Sequence, residues 1–145
     1  SAASLEKLKV VASKVQRTGR PLDQDPQFAA RMAKVEIDLE NMKTTNLRVI
    51  AAVAHGSVPG AESSMLKIRG TEIRQEILSL IRRAMGPYAL PFIEAAQYEG
   101  YADAPVGPKE AATAAANYFN YRKLSIFGGS NEIQKNIISK MILGL

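Results

Sequence analysis

The residues best suited to approach a bound group lie in the stretch FGGSNEIQ, residues 127–134. Gly128 and Gly129 carry no side chain, so their backbone can come close to a ligand. Ser130 and Asn131 follow at the predicted start of a helix, whose free N–H groups attract anions. A capped turn between two helices explains the same letters, and a Gly-Gly pair matches neither the Rossmann nor the P-loop pattern. The residues alone leave both interpretations open.

A second candidate is Arg20, in the stretch GRPLDQDP. Asp25 and Pro26 predict a well-defined helix start shortly after Arg20, because the carboxylate caps free N–H groups and proline suits the first helical position. A guanidinium in a loop next to such a start can reach a phosphate from a rigid base. An arginine that simply points into water is the alternative.

The sequence lacks the residues that several other kinds of functional site require. The sequence has no cysteine and one histidine, which excludes thiolate and disulfide chemistry and leaves a catalytic triad incomplete. His55 precedes a turn glycine at a predicted helix end, where it suits a capping or surface role. Glu36 and Glu40 lie one helical turn apart with Lys34 and Lys43 nearby, which indicates a solvated face. No set of His, Asp and Glu has the spacing of metal ligands.

Composition predicts one globular domain. The chain has 145 residues, 46% of them apolar and 23% charged, with a net charge of +5. The 19 basic residues are scattered among 14 acidic ones, so the sequence predicts no nucleic-acid partner. Apolar runs are too short for a membrane span, and residues 1–15 show no signal-peptide pattern. A cytoplasmic location is expected, or the mitochondrial matrix if the source is eukaryotic.

Helices must position these candidates, because helical periodicity dominates and strand signals are nearly absent. We expect an all-α fold, an antiparallel up-and-down bundle of four to five helices with short connections. Residues 86–107 predict a helix stop at Gly86-Pro87, at most one short helix and a loop. The predicted helices cover residues 4–17, 26 to about 56, 62–85, about 109–126, and a last segment after Gly129.

Apolar stripes predict which helix faces turn toward the core. The stripes comprise Leu5, Leu8, Val11 and Val15; Phe28, Met32, Val35, Leu39, Met42, Val49 and Val53; Leu66, Ile73, Ile77, Leu80 and Ala84; and Ile133, Ile137 and Met141.

The first helix begins without an element that leads into it, which predicts that the chain is part of a longer protein.

The C-terminal stretch RKLSIFGGSNEIQKNIISKMILGL closely resembles the C-terminal signature of acyl-CoA dehydrogenases. Two earlier stretches are similar to the same family, GRPLDQDPQFAARMAKVEIDLENMK and PGAESSMLKIRGTEIRQEILSLIRRAMGPYAL. Together they run from about Gly19 to the end of the chain, in the family's order. The resemblance therefore covers most of the sequence.

The resemblance implies that residues 1–145 form the C-terminal all-α domain of a three-domain flavoenzyme. Members use FAD to oxidise an acyl-CoA thioester to the 2-enoyl-CoA and usually pass the electrons to an electron-transfer flavoprotein. The same cofactor, substrate class and electron acceptor are expected here. A homo-oligomer such as a homotetramer, or a hetero-oligomer, is implied as well. The chain by itself is expected to be inactive.

The resemblance assigns cofactor contacts to both ends of the chain. Arg20 matches an arginine that reaches the FAD pyrophosphate of a neighbouring subunit, and Arg31 falls where many members have a flavin-contacting glutamine. Arg83 to Pro87 aligns with a Gln-x-x-Gly-Gly segment along the adenine dinucleotide, of which only Gly86 is kept. At the C-terminal end, Ser130, Asn131 and Glu132 match a segment near FAD, and Gly129 beside them is the position assigned to substrate.

The resemblance leaves the catalytic base unknown. Some members carry it where this chain has Gly128, and others carry it on the first helix of the domain. Glu6 lies on that helix here, but its spacing does not recommend it. A non-catalytic partner subunit that supports assembly and FAD binding is therefore the alternative to an active enzyme.

Overall fold

The computed structural model describes residues 2–103 and 106–144, and in this part of the chain it forms five α-helices and one small hairpin. The helices are α1 (Ala2–Lys14), α2 (Pro26–Ala54), α3 (Ala61–Met85), α4 (Ala111–Asn120) and α5 (Asn131–Leu143). Strands β1 (Gln16–Arg17) and β2 (Arg20–Pro21) pair between α1 and α2. Short 3₁₀ turns span Leu22–Gln24, Gly86–Ala89, Glu94–Gln97 and Tyr121–Ser125. The predicted all-α bundle is confirmed.

Ion pairs show that α2 and α3 run in opposite directions. Arg31, near the start of α2, pairs with Glu76, whereas Asp38 further along pairs with Arg69, which lies earlier in α3. α3 contacts each of the other four α-helices and is the central helix of the bundle. Its length therefore sets the distance between features at the two ends of the domain.

The core lies where α1, α2 and α3 meet, with α4 closing one side. The largest fully buried side chains are Leu8, Leu22, Ile77, Leu80 and Met85. Small residues let α4 approach closely, because alanine adds little bulk at a crossing. The buried residues of α4 are Ala111, Ala112, Ala114 and Ala115.

The first helix is shorter than predicted, because it ends at Lys14 and residues 16–21 form the hairpin. Two-residue strands are too short to show the alternation that predicts a strand. The turn between them holds Thr18 at φ 53° and Gly19 at φ 77°, so the helical pattern stops before the turn.

Two predicted apolar faces are only partly buried. The stripe of α2 is buried at Phe28, Val35 and Leu39, but Val53 is 44% exposed in the second half of the helix. The stripe of α5 is wrong as a core face, since Ile133, Ile137 and Met141 are 52%, 38% and 55% exposed. Periodicity identifies an apolar face but not the element that covers it, and α5 turns a different face toward α3.

Other predictions of helix ends hold. α2 begins at Pro26 with Asp25 as its cap, and α3 stops at Met85 with Gly86 at φ 56°. None of the helices in the described ranges combines the length and apolarity needed to cross a membrane.

Candidate functional site

The hinge, residues 126–130, connects the last 3₁₀ turn to α5. Gly128 (φ 70°) and Gly129 (φ 83°) adopt left-handed backbone conformations that side chains disfavour, which explains the glycine pair. Ser130 caps α5, and its Oγ accepts a hydrogen bond from the backbone N–H of Ile133 at 3.3 Å. The predicted capped helix start is confirmed, and its first free N–H groups face the hinge.

Lys67 of α3 holds the hinge in place. Its Nζ donates to the backbone oxygen of Leu124 at 3.2 Å and to Oδ1 of Asn131 at 2.9 Å. These two partners lie 57 and 64 positions after Lys67 in the sequence, so no local spacing could reveal the contacts. The ammonium group lies beside the N-terminus of α5, so two sources of positive potential meet at the hinge. Glu132, in the first turn of α5, is exposed.

An open cavity of about 680 Å³ lies between α2, α3 and the hinge. Lys43, Lys67 and Arg74 contribute positive charge to its lining, and Gly128 lies at its edge. Met42, Leu66, Leu124 and Phe127 contribute apolar surface. Of the residues described, no Asp or Glu lines this cavity. A ligand that combines an apolar body with anionic or oxygen-rich groups suits such a lining.

A basic corner, formed by Arg17, Arg20 and Arg83, lies at the other end of α3. The hairpin register places Arg17 directly opposite Arg20. Nη2 of Arg17 donates to the backbone oxygen of Arg83 at 3.4 Å, which connects the hairpin to the last turn of α3. Gly86 ends the same helix, so the hairpin that carries Arg20 lies near the end of α3 that carries Arg83 and Gly86. Sequence reasoning missed Arg17, whose only signal was its position next to the turn.

Arg31 lies between the two ends and already has a partner. Its Nε donates to Oε1 of Glu76 at 3.2 Å, and Nη2 donates to the same oxygen. Both side chains are somewhat more than one-third exposed. The described geometry thus gives Arg31 an ion pair between α2 and α3, and its flavin contact stays a prediction.

The structure does not bring all predicted site residues together. Lys67 marks the hinge end of α3 and Arg83 marks the basic corner, and the helix between them spans about 24 Å at 1.5 Å per residue. Gly128, Gly129, Ser130, Asn131 and Glu132 lie at the first end; Arg20, Arg83 and Gly86 lie at the second. One chain therefore presents two separate groups of candidate residues.

Comparison with protein-family models identifies the family of this helical bundle. A model described as the acyl-CoA dehydrogenase C-terminal domain matches residues 1–143. The chain belongs to the acyl-CoA dehydrogenase family. Among curated proteins, none matches the sequence.

Solved structures share the fold of this acyl-CoA dehydrogenase domain. An FAD complex of PigA is 23% identical with a TM-score of 0.74, and the match covers 99% of this chain and 33% of that one. A ChsE4-ChsE5 complex from Mycobacterium tuberculosis is 23% identical with a TM-score of 0.74, covering 99% and 35%. An electron transferring flavoprotein of Acidaminococcus fermentans is 15% identical with a TM-score of 0.72, covering 98% and 33%. The chain thus spans about a third of the length of these proteins.

The remaining acidic and histidine candidates have structural roles in this acyl-CoA dehydrogenase domain. His55 caps the C-terminal end of α2 through its backbone and is exposed, as predicted. Glu40 pairs with Lys43 on the surface, whereas Glu36 pairs with Lys9 and joins α2 to α1. The hydrogen bond to Glu36 raises the pKa of Lys9. Within the described ranges, no group of three or more His, Asp and Glu is placed to hold a metal ion.

Proposed function

We propose that this chain is the C-terminal FAD-binding and oligomerisation domain of an acyl-CoA dehydrogenase that oxidises an acyl-CoA thioester to the 2-enoyl-CoA. The observation that carries the proposal is the separation of the hinge from the basic corner by about 24 Å of α3. In one chain the two groups face different ends of the domain. In an oligomer, the hinge of one subunit and the basic corner of its neighbour can hold the same FAD molecule.

The side chains present fit FAD. Arg20 in the basic corner suits the diphosphate, because guanidinium groups form paired hydrogen bonds with phosphate oxygens. At the hinge, the N-terminus of α5 and the ammonium group of Lys67 suit the oxygen-rich edge of the flavin ring. A Cβ atom at Gly128 would meet nothing within 4 Å, so the backbone is open to a bound group. FAD, when bound, accepts the hydride that the substrate loses.

Gly128 has no side chain, and the described lining of the cavity beside it includes no carboxylate. Proton removal then needs a group from outside this cavity. The chain alone is therefore expected to lack dehydrogenase activity. Acyl-CoA is the proposed substrate class and an electron-transfer flavoprotein the proposed acceptor, in the cytoplasm or the mitochondrial matrix. The assembly is a homo- or hetero-oligomer such as a homotetramer.

The full-length protein that contains this chain tests the proposal. It is expected to purify with bound flavin and to dehydrogenate an acyl-CoA in the presence of an artificial electron acceptor. Replacing Arg20 by Gln should weaken FAD binding about tenfold or more, because a charge-assisted hydrogen bond to phosphate is lost. The matched control is Arg48→Gln, which removes an exposed arginine from the second half of α2. Colourless, inactive protein, or equal FAD loss in both variants, would contradict the proposal.

A non-catalytic partner subunit is the second candidate. Gly128 and the absence of a carboxylate from the described lining of the adjoining cavity favour it. Such a subunit would retain FAD in an oligomer yet turn over no acyl-CoA unless a catalytic partner is added. Turnover by the purified protein alone would reject this alternative.

A further inference from the structure

A small cavity between α1, α3 and α4 is lined by polar groups from all three helices. This inner cavity has a volume of about 130 Å³. Its polar residues include two from α1, one from α3 and two from α4, namely Ser4 and Lys7, Arg74, and Thr113 and Asn117. Within α1 and within α4 the two residues are one helical turn apart, so they share a face of their helix. The packing of the three helices therefore brings these polar groups together.

Arg74 keeps hydrogen-bonding capacity for a ligand in the inner cavity. Its Nη1 donates to Oγ of Ser4 at 2.6 Å, and its guanidinium carbon lies 4.7 Å from the centre of the Tyr121 ring. Its Nε is buried and has no hydrogen-bond partner in the part of the chain that the structure describes. A buried donor without an acceptor is costly, so an acceptor that reaches this guanidinium group is stabilised.

The start of α4 adds positive potential to the inner cavity. Glu110 precedes α4 as its N-cap, but its side chain makes no capping hydrogen bond. The first turn of α4 therefore keeps N–H groups that have no side-chain partner and that attract anions. The charged residues of the lining are Lys7, Arg74 and Glu110, and within residues 2–103 and 106–144 none of them forms a salt bridge. Two cations and one anion leave a net charge of +1, which a monoanion balances.

A larger, open cavity of about 870 Å³ adjoins the inner cavity, because Lys7, Glu110 and Thr113 line both. Tyr98 and Tyr101, on the segment that leads to α4, line this outer cavity, and Tyr98 is 66% exposed. Tyrosine rings favour contact with another aromatic ring. The charged residues that line only the outer cavity have opposite signs, Asp103 and Lys109.

We infer that the two cavities form a binding site for a small aromatic monocarboxylate. The carboxylate group enters the inner cavity beside Lys7 and Arg74, and the ring lies against Tyr98 in the outer cavity. A volume of 130 Å³ equals that of about four water molecules at about 30 Å³ each, which is room for a carboxylate group but not for a nucleotide.

The inference is independent of the proposed function. Lys7, Glu110 and Tyr98 line neither the cavity at the hinge nor the basic corner. Arg74 also lines the cavity at the hinge, so the test leaves Arg74 unchanged. Lys7 and Tyr98 are exposed, and replacing them does not disturb the core.

NMR titration of the full-length protein with three small probes tests the site. Benzoate carries both the ring and the carboxylate, benzyl alcohol lacks the charge, and acetate lacks the ring. Benzoate should bind about tenfold or more tightly than either of the other probes, because it alone occupies both cavities.

Two substitutions with opposite expected effects separate a ligand contact from a structural role. Lys7→Met should weaken benzoate binding about tenfold, because a charge-assisted contact is lost. Glu110→Gln should strengthen it about threefold or more, because a like charge is removed. The matched control is Lys14→Met, which removes an exposed lysine of α1 outside both linings and should leave the affinity within about twofold. Tyr98→Ala should weaken the binding of benzoate but not of acetate.

Four results would overturn the inference. They are the absence of saturable benzoate binding, an unchanged affinity in Lys7→Met, an equal loss in Lys14→Met, and weaker binding in Glu110→Gln. Equal affinities for benzoate and acetate would overturn the aromatic class of the ligand. A melting temperature measured for each variant shows whether a loss of binding comes from unfolding.

Discussion

Replacing Lys67 by Met should release the hinge from α3 without disturbing the core. The Nζ atom of Lys67 makes two hydrogen bonds to the segment that leads into α5, at 3.2 Å to Leu124 and 2.9 Å to Asn131. Methionine keeps most of the aliphatic stem, so the change removes the charged donor and little packing. The backbone oxygen of Leu124 and the amide of Asn131 then need new partners.

The size of the effect follows from these two contacts. Hydrogen bonds to a charged group contribute about 1.5–3 kcal/mol each when they are buried, but this lysine is partly exposed and water can replace it. We therefore expect a loss of about 1–2 kcal/mol in the free energy of unfolding, and a melting temperature lowered by about 3–8 °C. If opening of the hinge controls amide exchange in α5, those amides should exchange about 5–30 times faster.

Hydrogen exchange measured along the chain is the decisive assay. Faster exchange should be confined to α5 and the residues that precede it, and amides in the buried parts of α2 and α3 should change much less. Lys135→Met provides the control, since Lys135 is exposed on α5 and has no salt bridge in the described ranges. Unchanged exchange in α5, or the same acceleration in Lys135→Met, would refute the anchoring role of Lys67.

Two further predictions concern local backbone structure. Asp25→Ala removes the cap whose Oδ1 accepts from the Phe28 N–H at 2.9 Å, and should lower the free energy of unfolding by about 1 kcal/mol in urea denaturation. Asp23→Ala, a neighbouring carboxylate that does not cap α2, should cost less, and equal losses would contradict the cap. Thr18→Asn should stabilise the chain by about 1 kcal/mol in the same assay, because Asn-Gly suits a turn with two positive φ angles. A destabilised Thr18→Asn protein would show that Thr18 has a favourable role that its backbone angle does not reveal.

Local sequence signals predicted the helix boundaries well where one residue type dictates the backbone. Asp25 with Pro26 predicts the start of α2, and Gly86 with Pro87 predicts the end of α3; both are confirmed. The hairpin escaped prediction because its strands are two residues long and its turn places a threonine at positive φ. The prediction that the apolar stripe of α5 faces the core was wrong for another reason. Periodicity identifies which face of a helix is apolar, but not which element packs against that face.

The residues of the candidate site also divide into those that the sequence predicted and those that it did not. The glycine pair and Ser130 were visible as a capped hinge, and Arg20 was visible as a cation before a helix start. Lys67 and Arg17 were not, because their roles depend on contacts 57 to 66 residues away along the chain. Neither residue belongs to a pattern that spacing alone could identify.

Residue patterns alone are enough to predict the all-α class, the family resemblance and most helix ends, because these depend on local backbone preferences and on a continuous motif. Which side chains meet depends on how the helices pack. The antiparallel packing of α2 on α3 brings the hairpin that precedes α2, with Arg17, to the end of α3. The packing of α5 on α3 brings the hinge to Lys67. The length of α3 between Lys67 and Arg83 then keeps those two positive sites about 24 Å apart. That distance is a property of helix geometry and packing, since sequence separation does not measure distance between residues on different elements.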